Sequence, residues 1–218
     1  MDKSLKLHII NNCYIRSGMS GGERIIMELA RHWSSCIFEG DIILYSCNIR
    51  ADIWRKNNID KIKFKEILRS SEQANMLWSY LQRIVSGSIY FLKIKLNKDK
   101  KHIIYSSSDF WPDVLPALIY KLRNPKAKWI AGFYMFAPKP WQKDSPYKGK
   151  KCFIGLFYWL TQLPIYWIVK RCADMVFVTS EPDVEKFITK RRNIDKITVI
   201  RGGVDIKPSV EYLNSKEV

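Results

Sequence analysis

The residue pair with the clearest potential for chemistry is Gly21 and Gly22, which open a helix directly behind a short apolar strand. Leu5, Leu7, Ile9 and Ile10 form that strand, and the polar pair Asn11 and Asn12 ends it. A loop from Cys13 to Ser20 follows, and then Ile25, Ile26, Leu29, Ala30 and Trp33 recur at helical spacing. Such a β-α unit sets a helix N-terminus beside the carboxyl end of its strand. Unpaired N–H groups and the positive end of the helix dipole favour an anion there, commonly a phosphate, and glycine lets it approach the backbone. Neither the P-loop G-K-S/T sequence nor a full G-x-G-x-x-G is present. On spacing alone, the pair fits a phosphate cradle or an ordinary turn before a surface helix.

A second candidate is a basic, aromatic stretch. Lys148, Lys150 and Lys151 precede an apolar run containing Phe157 and Trp159, and a second run containing Trp167 leads into Lys170 and Arg171. Thr161, Gln162 and Pro164 interrupt it, so a membrane span is not expected. Aromatics flanked by cations suit a helix lying in the interface of an anionic bilayer. The other reading is a core helix of a sheet sandwich, and one face packed with one face on lipid satisfies both.

The charge supports an anionic partner: 37 Lys and Arg stand against 21 Asp and Glu, a formal +16. Nucleic acid is the less favoured one. Lys98 to Lys101 and Lys190-Arg191-Arg192 could grip phosphates, but no helix-turn-helix, zinc finger or RNP-like aromatic motif accompanies them. The cysteines Cys13, Cys36, Cys47, Cys152 and Cys172 lie far apart, with no C-x-x-C pair and no His at ligand spacing. Reduced thiols and no metal site are expected. His8, His32 and His102 sit within or at the ends of predicted elements, where a structural role is expected. The N-terminus runs into the first strand without a signal-peptide apolar region, which predicts a cytosolic protein.

The elements that must position these groups alternate. Strands are predicted at Asp41 to Cys47, Lys61 to Ile67, His102 to Ser108, Lys128 to Phe136, Ala173 to Ser180 and Ile197 to Ile200. Helices are predicted from Gln73 to Leu96 with an interruption near Gly87, from Pro112 to Leu122, and around Asp183 to Arg192. The alternation predicts an α/β fold, a mostly parallel sheet with helices on both faces, as one domain over 1–203 with a tail over 204–218.

Four segments, in order, resemble the N-terminal half of GT4-type glycosyltransferases of the GT-B fold. They are Ser20-Gly21-Gly22-Glu23-Arg24, Ser106 to Leu115, Ala173 to Ser180 and Ile197 to Asp205. The resemblance implies a Rossmann-like domain that mainly holds the acceptor of a retaining, nucleotide-sugar-dependent transferase needing no metal. It sets Gly21 and Gly22, with Ser20 nearby, toward the donor diphosphate. Ser108, Asp109 and the loop after Tyr134 would line the acceptor side. Relatives often carry a His after the fifth strand, where this chain has Phe133 to Pro138, so no catalytic base is assigned. The family's second Rossmann domain, with its nucleotide pocket, should begin after Gly203-Val204-Asp205, whereas this chain ends at Val218. An excised domain, one subunit of a split transferase that recruits a partner, and a non-catalytic binding module are the three readings. Each expects the isolated chain to be inactive. A lipid-linked or polysaccharide acceptor at the inner face of the membrane would account for the basic aromatic stretch.

Overall fold

The computed structural model describes residues 5–12, 21–34, 41–47, 62–68, 75–95 and 100–201. Ser20, Gly202, Gly203 and the tail lie outside them, as does the side chain of Lys150. In chain order the elements are β1 (Leu5–Ile10), α1 (Gly21–His32), β2 (Asp41–Cys47), β3 (Ile62–Leu68), α2 (Met76–Lys93) and β4 (Lys101–Ser106). There follow α3 (Trp111–Arg123), β5 (Lys128–Gly132), α4 (Cys152–Cys172), β6 (Met175–Val178), α5 (Val184–Phe187) and β7 (Ile197–Val199).

The seven strands form one sheet, ordered β3-β2-β1-β4-β5-β6-β7, with every neighbouring pair parallel. Parallel strands need covering on both sides, and alternation along each strand supplies two apolar faces. Ile10, Ile43, Ile104 and Val176 meet Phe91 of α2, Val114 and Ala117 of α3, and Ile165 and Val169 of α4. Leu7, Ile9, Ile42, Leu44 and Tyr105 point the other way, onto Ile26, Met27 and Ala30 of α1. The α/β fold with helices on both faces is therefore as the alternation predicts.

Three of the departures from predicted extent have a local cause in the structure. The second helix is continuous through Gly87 rather than interrupted there. Gly87 is buried, and a Cβ on it would lie 3.0 Å from Pro116 Cγ and 3.1 Å from Asn12 Nδ2. Glycine here lets α2 and α3 approach closely, instead of breaking the helix. β5 stops at Gly132 because the ring of Tyr134 folds back over it, 2.9 Å from where a Cβ would stand. The helix predicted around Asp183 to Arg192 is only four residues of α5. Thr189 ends it: its Oγ1 accepts from the amides of Arg191 (3.3 Å) and Arg192 (3.1 Å), a local turn that competes with helical bonding.

Candidate functional site

Strand order reverses between β1 and β4, so the chain leaves these neighbours toward opposite faces of the sheet. Such a switch point opens a crevice at the carboxyl edge, where ligands of open α/β sheets bind. Because β1 and β2 run parallel, α1 runs antiparallel to them and presents Gly21 and Gly22 at that same edge. Ser20, just before, falls outside the described residues.

Beneath this edge lies a buried polar cluster built around Asp113, in the first turn of α3. Its Oδ1 accepts the amide of Asn12 at 2.7 Å, and its Oδ2 accepts the hydroxyls of Ser107 at 3.1 Å and Ser108 at 2.5 Å. Asn12 Nδ2 donates to the carbonyl of Pro112 at 2.7 Å, and Arg83 of α2 donates to the carbonyl of Asn12 at 3.3 Å. The amide of Ser107 reaches back to the carbonyl of Ile10 at 3.0 Å, extending the β1–β4 ladder by one bond. One carboxylate thus ties the residue that begins the glycine loop to the residues that end β4. A buried charge is tolerated when each oxygen has donors, as here.

On the α4 side of the same edge Gln162 acts as a clamp. Its Nε2 donates to Asp109 Oδ2 at 2.6 Å and to the carbonyl of Met135 at 2.8 Å, while its Oε1 accepts the amide of Ala137 at 2.7 Å. Burial pushes the Asp109 carboxyl above the usual carboxylate range, and the bond from Gln162 opposes that shift. Of the residues predicted to line the acceptor side, Ser108 and Asp109 are buried and Tyr134 is half-buried. Tyr134 bonds the Tyr105 hydroxyl, and its carbonyl accepts Thr179 Oγ1 at 2.5 Å. All three sit together at the carboxyl edge, with polar atoms bonded inside the chain.

The basic, aromatic residues share α4 and its approach. Phe157, Trp167 and Arg171 are exposed, as is Lys151. Trp159 is half-buried, edge-on to Trp141 at 5.0 Å, and Lys170 Nζ donates to the Tyr166 hydroxyl at 2.9 Å. Only a narrow stripe of α4, Gly155, Gln162, Ile165 and Val169, is buried. By length and composition this helix could cross a membrane. The Gln162 bonds and the packing of Ile165 and Val169 instead make it part of the domain.

Three residues carry more of this architecture than their sequence positions suggest. Asp113 stands in a segment used above without a role of its own, and Gln162 reads as an interruption of an apolar helix. A lone amide among apolar neighbours is itself a signal, since burial obliges it to find partners. Arg192 belongs to the basic run offered as a phosphate grip, but it is buried. Its guanidinium donates to the carbonyls of Val169 at 2.9 Å, Phe187 at 3.2 Å and Ala173, holding the end of α4. That basic run therefore loses one of its three cations to the interior.

Strand order, parallel pairing and two-sided cover define a Rossmann-like α/β domain. No family profile matches the chain, and no curated protein matches it. Among solved structures, a UDP-N-acetylglucosamine 2-epimerase matches with a TM-score of 0.52 and 13% identity, over 90% of this chain and 48% of its own. Anabaena HepE in complex with UDP-glucose matches with a TM-score of 0.48 and 10% identity, over 97% of this chain and 49% of its own. The 2-epimerase of Rickettsia bellii gives 0.47 and 12%, over 98% and 48%. The chain spans about half the length of these structures, and the likeness is one of fold.

Proposed function

We propose that this chain is the acceptor-side half of a nucleotide-sugar-dependent, GT4-like retaining glycosyltransferase. It works at the cytosolic face of a membrane on a lipid-linked or polysaccharide acceptor. The observation that carries the reading is the β1–β4 switch point, with a glycine-led helix opening at the carboxyl edge above the buried Asp113 cluster. Gly21 and Gly22, with Ser20, would give backbone N–H groups to the donor diphosphate, stabilising negative charge as the leaving group departs. The rest of the donor site belongs to a second Rossmann domain or partner subunit. Ser108, Asp109 and Tyr134 would shape the acceptor wall, with no metal. Lys150, Lys151, Phe157, Trp159, Trp167, Lys170 and Arg171 would hold α4 to the anionic surface where such an acceptor resides.

The test uses the complete enzyme, with radiolabelled nucleotide sugar and extracted membranes as acceptor source. Gly22→Val is expected to abolish transfer without changing the thermal melt, because a side chain there blocks approach to the amides. Unchanged turnover would remove the diphosphate role. The isolated chain is expected to transfer nothing.

A further inference from the structure

The second helix presents an outward apolar stripe that the sheet does not use. Leu77, Leu81, Val85, Ile89 and Leu92 recur every three or four residues, so they lie along one side of α2, and Trp78 flanks them. All six are exposed, between 45% and 59%. The opposite side carries Arg83, Gly87 and Phe91, all buried. On α4 the outward residues are Phe153, Ile154, Phe157, Leu160, Leu163 and Trp167, with Phe153 at 78% exposure.

These stripes belong to one layer. Both helices pack on the same sheet face with α3 between them. Trp111 at the start of α3 ties them together: its amide donates to the Tyr80 hydroxyl of α2 at 3.2 Å, and its indole to the Thr161 carbonyl of α4 at 3.0 Å. Phe110, itself exposed, stacks on Tyr158 of α4 with ring centroids 5.8 Å apart.

The charge of the layer is one-sided. Across α2, α3 and α4 the only acidic residue is Asp113, and it is buried. Lys93, Arg123 and Arg171 are exposed at the helix ends. Lys148 and Lys151 line a shallow depression with Ser145 and Pro146 where α4 begins. Helices that face water ordinarily intersperse both signs. A second copy of this chain would bring another +16 against this layer, and nucleic acid has no use for five aliphatic side chains in a row. An anionic bilayer satisfies both features, taking apolar side chains at the acyl boundary and cations at the headgroups.

We propose that α2 is a second bilayer-contact element, so that α2 and α4 rest side by side on an anionic lipid surface with Phe110 between them. The proposal builds on the membrane reading of α4. Helices antiparallel to the strands begin at the carboxyl edge, so Trp78, Phe110 and Phe153 lie at the crevice end of the layer. Docked this way, the crevice opens beside the headgroups.

Flotation of the full chain with phosphatidylglycerol-containing and pure phosphatidylcholine vesicles tests it, with far-ultraviolet circular dichroism as a folding control. One variant combines Trp78→Gln, Leu81→Gln and Val85→Gln, and the other Phe153→Gln, Phe157→Gln and Trp167→Gln. All six side chains are exposed, so both variants should fold. The expected result is selective flotation of the parent chain with anionic vesicles and at least a tenfold lower partition for each variant. Loss confined to the α4 variant overturns the role of α2 and leaves the α4 reading standing. No flotation of the parent chain overturns both. Unchanged flotation of the α2 variant, with a parent dimer converted to a monomer in sedimentation, assigns the stripe to a second copy and overturns the proposal.

Discussion

Two buried polar clusters flank the same β1–β4 ladder and draw on the same helix, yet they are built from different groups. At the carboxyl edge, Asp113 collects the Asn12 amide and two serine hydroxyls. Two helical turns later, Tyr120 meets His8 of β1 at 3.1 Å and His102 of β4 at 2.8 Å. There His8 Nε2 and His102 Nδ1 stand 3.0 Å apart, and His8 Nδ1 faces the Tyr45 hydroxyl at 3.0 Å. The first cluster is anionic and its donors fix backbone and loop ends; the second is neutral and its partners are rings of the core. A carboxylate is suited to holding a loop because several donors can converge on it. An imidazole suits a packed interior in its neutral form, the form in which burial holds His8.

The largest expected effect follows from the anionic cluster. Asp113→Ala removes the acceptor of three buried donors, and each donor left unsatisfied costs about 1 to 3 kcal/mol. A loss on the order of 4 kcal/mol is expected in urea denaturation, with Asp113→Asn recovering part of it. Tyr120→Phe in the neutral cluster should lose much less. Equal losses for Asp113→Ala and Tyr120→Phe would erase the distinction between the clusters.

Gln162→Leu comes next, because it extends the carboxyl-edge cluster across to α4. The change fits an apolar helix in volume but takes the shortest donor from the Asp109 carboxyl, leaving it the Tyr158 hydroxyl at 3.4 Å, and strands the Ala137 amide. About 3 kcal/mol of destabilisation is expected, with faster hydrogen exchange at the Ala137 amide. Exchange at wild-type rates would mean that the clamp does not hold the loop after β5.

Neither cluster was legible in the sequence, although most of the sheet was. Runs such as Asp41 to Cys47 and the period of α1 announce strand and helix because local spacing reports local structure. Asp113 finds its partner in Asn12, 101 residues away, and Gln162 finds Asp109 across 53. Periodicity carries no information about such pairings. It also failed at α2 in an instructive way. The apolar positions between Gln73 and Leu96 read as one broad apolar face, but periodicity does not say how much of it is covered, and the sheet and α3 cover only the side holding Gly87 and Phe91. The glycine-led start of α1 was legible, since glycine at a strand-helix junction is a backbone signal. The stop at Thr189 was not, because a threonine turn competes with the helix on nearly equal terms.

The neutral cluster predicts a pH dependence of its own. Burial, reinforced by the neighbouring His102, pushes His8 from 6.5 down to about 3. Folded protein therefore keeps His8 neutral where the unfolded chain binds a proton. Below pH 6.5 the unfolded state gains protons that the folded state refuses, so stability falls as pH drops from 6.5 toward 3. Between pH 7 and pH 5 this amounts to about 2 kcal/mol. Urea melts at both values should show it, and His8→Phe should flatten the slope while lowering stability at pH 7. A slope unchanged in His8→Phe would place the titrating group elsewhere.

Tyr45→Phe is the smallest and most discriminating change. The Tyr45 ring also packs against Phe91 at 5.0 Å and stacks near His8, so the substitution keeps the aromatic contacts and deletes one hydroxyl. Facing His8 Nδ1, that hydroxyl decides which imidazole nitrogen carries the proton. About 1 kcal/mol should be lost at pH 7. If the hydroxyl donates to Nδ1, it stabilises the neutral ring, and removing it lets His8 protonate at a higher pH in the folded state. The fall in stability then levels off at a higher pH, so the slope between pH 5 and pH 3 becomes shallower, because folded and unfolded proton binding move closer there. If Nδ1 is the donor, the loss at pH 7 remains and the slope does not move. Parallel urea melts of the two proteins at pH 7, pH 5 and pH 3 separate these cases and fix which nitrogen of His8 carries the proton.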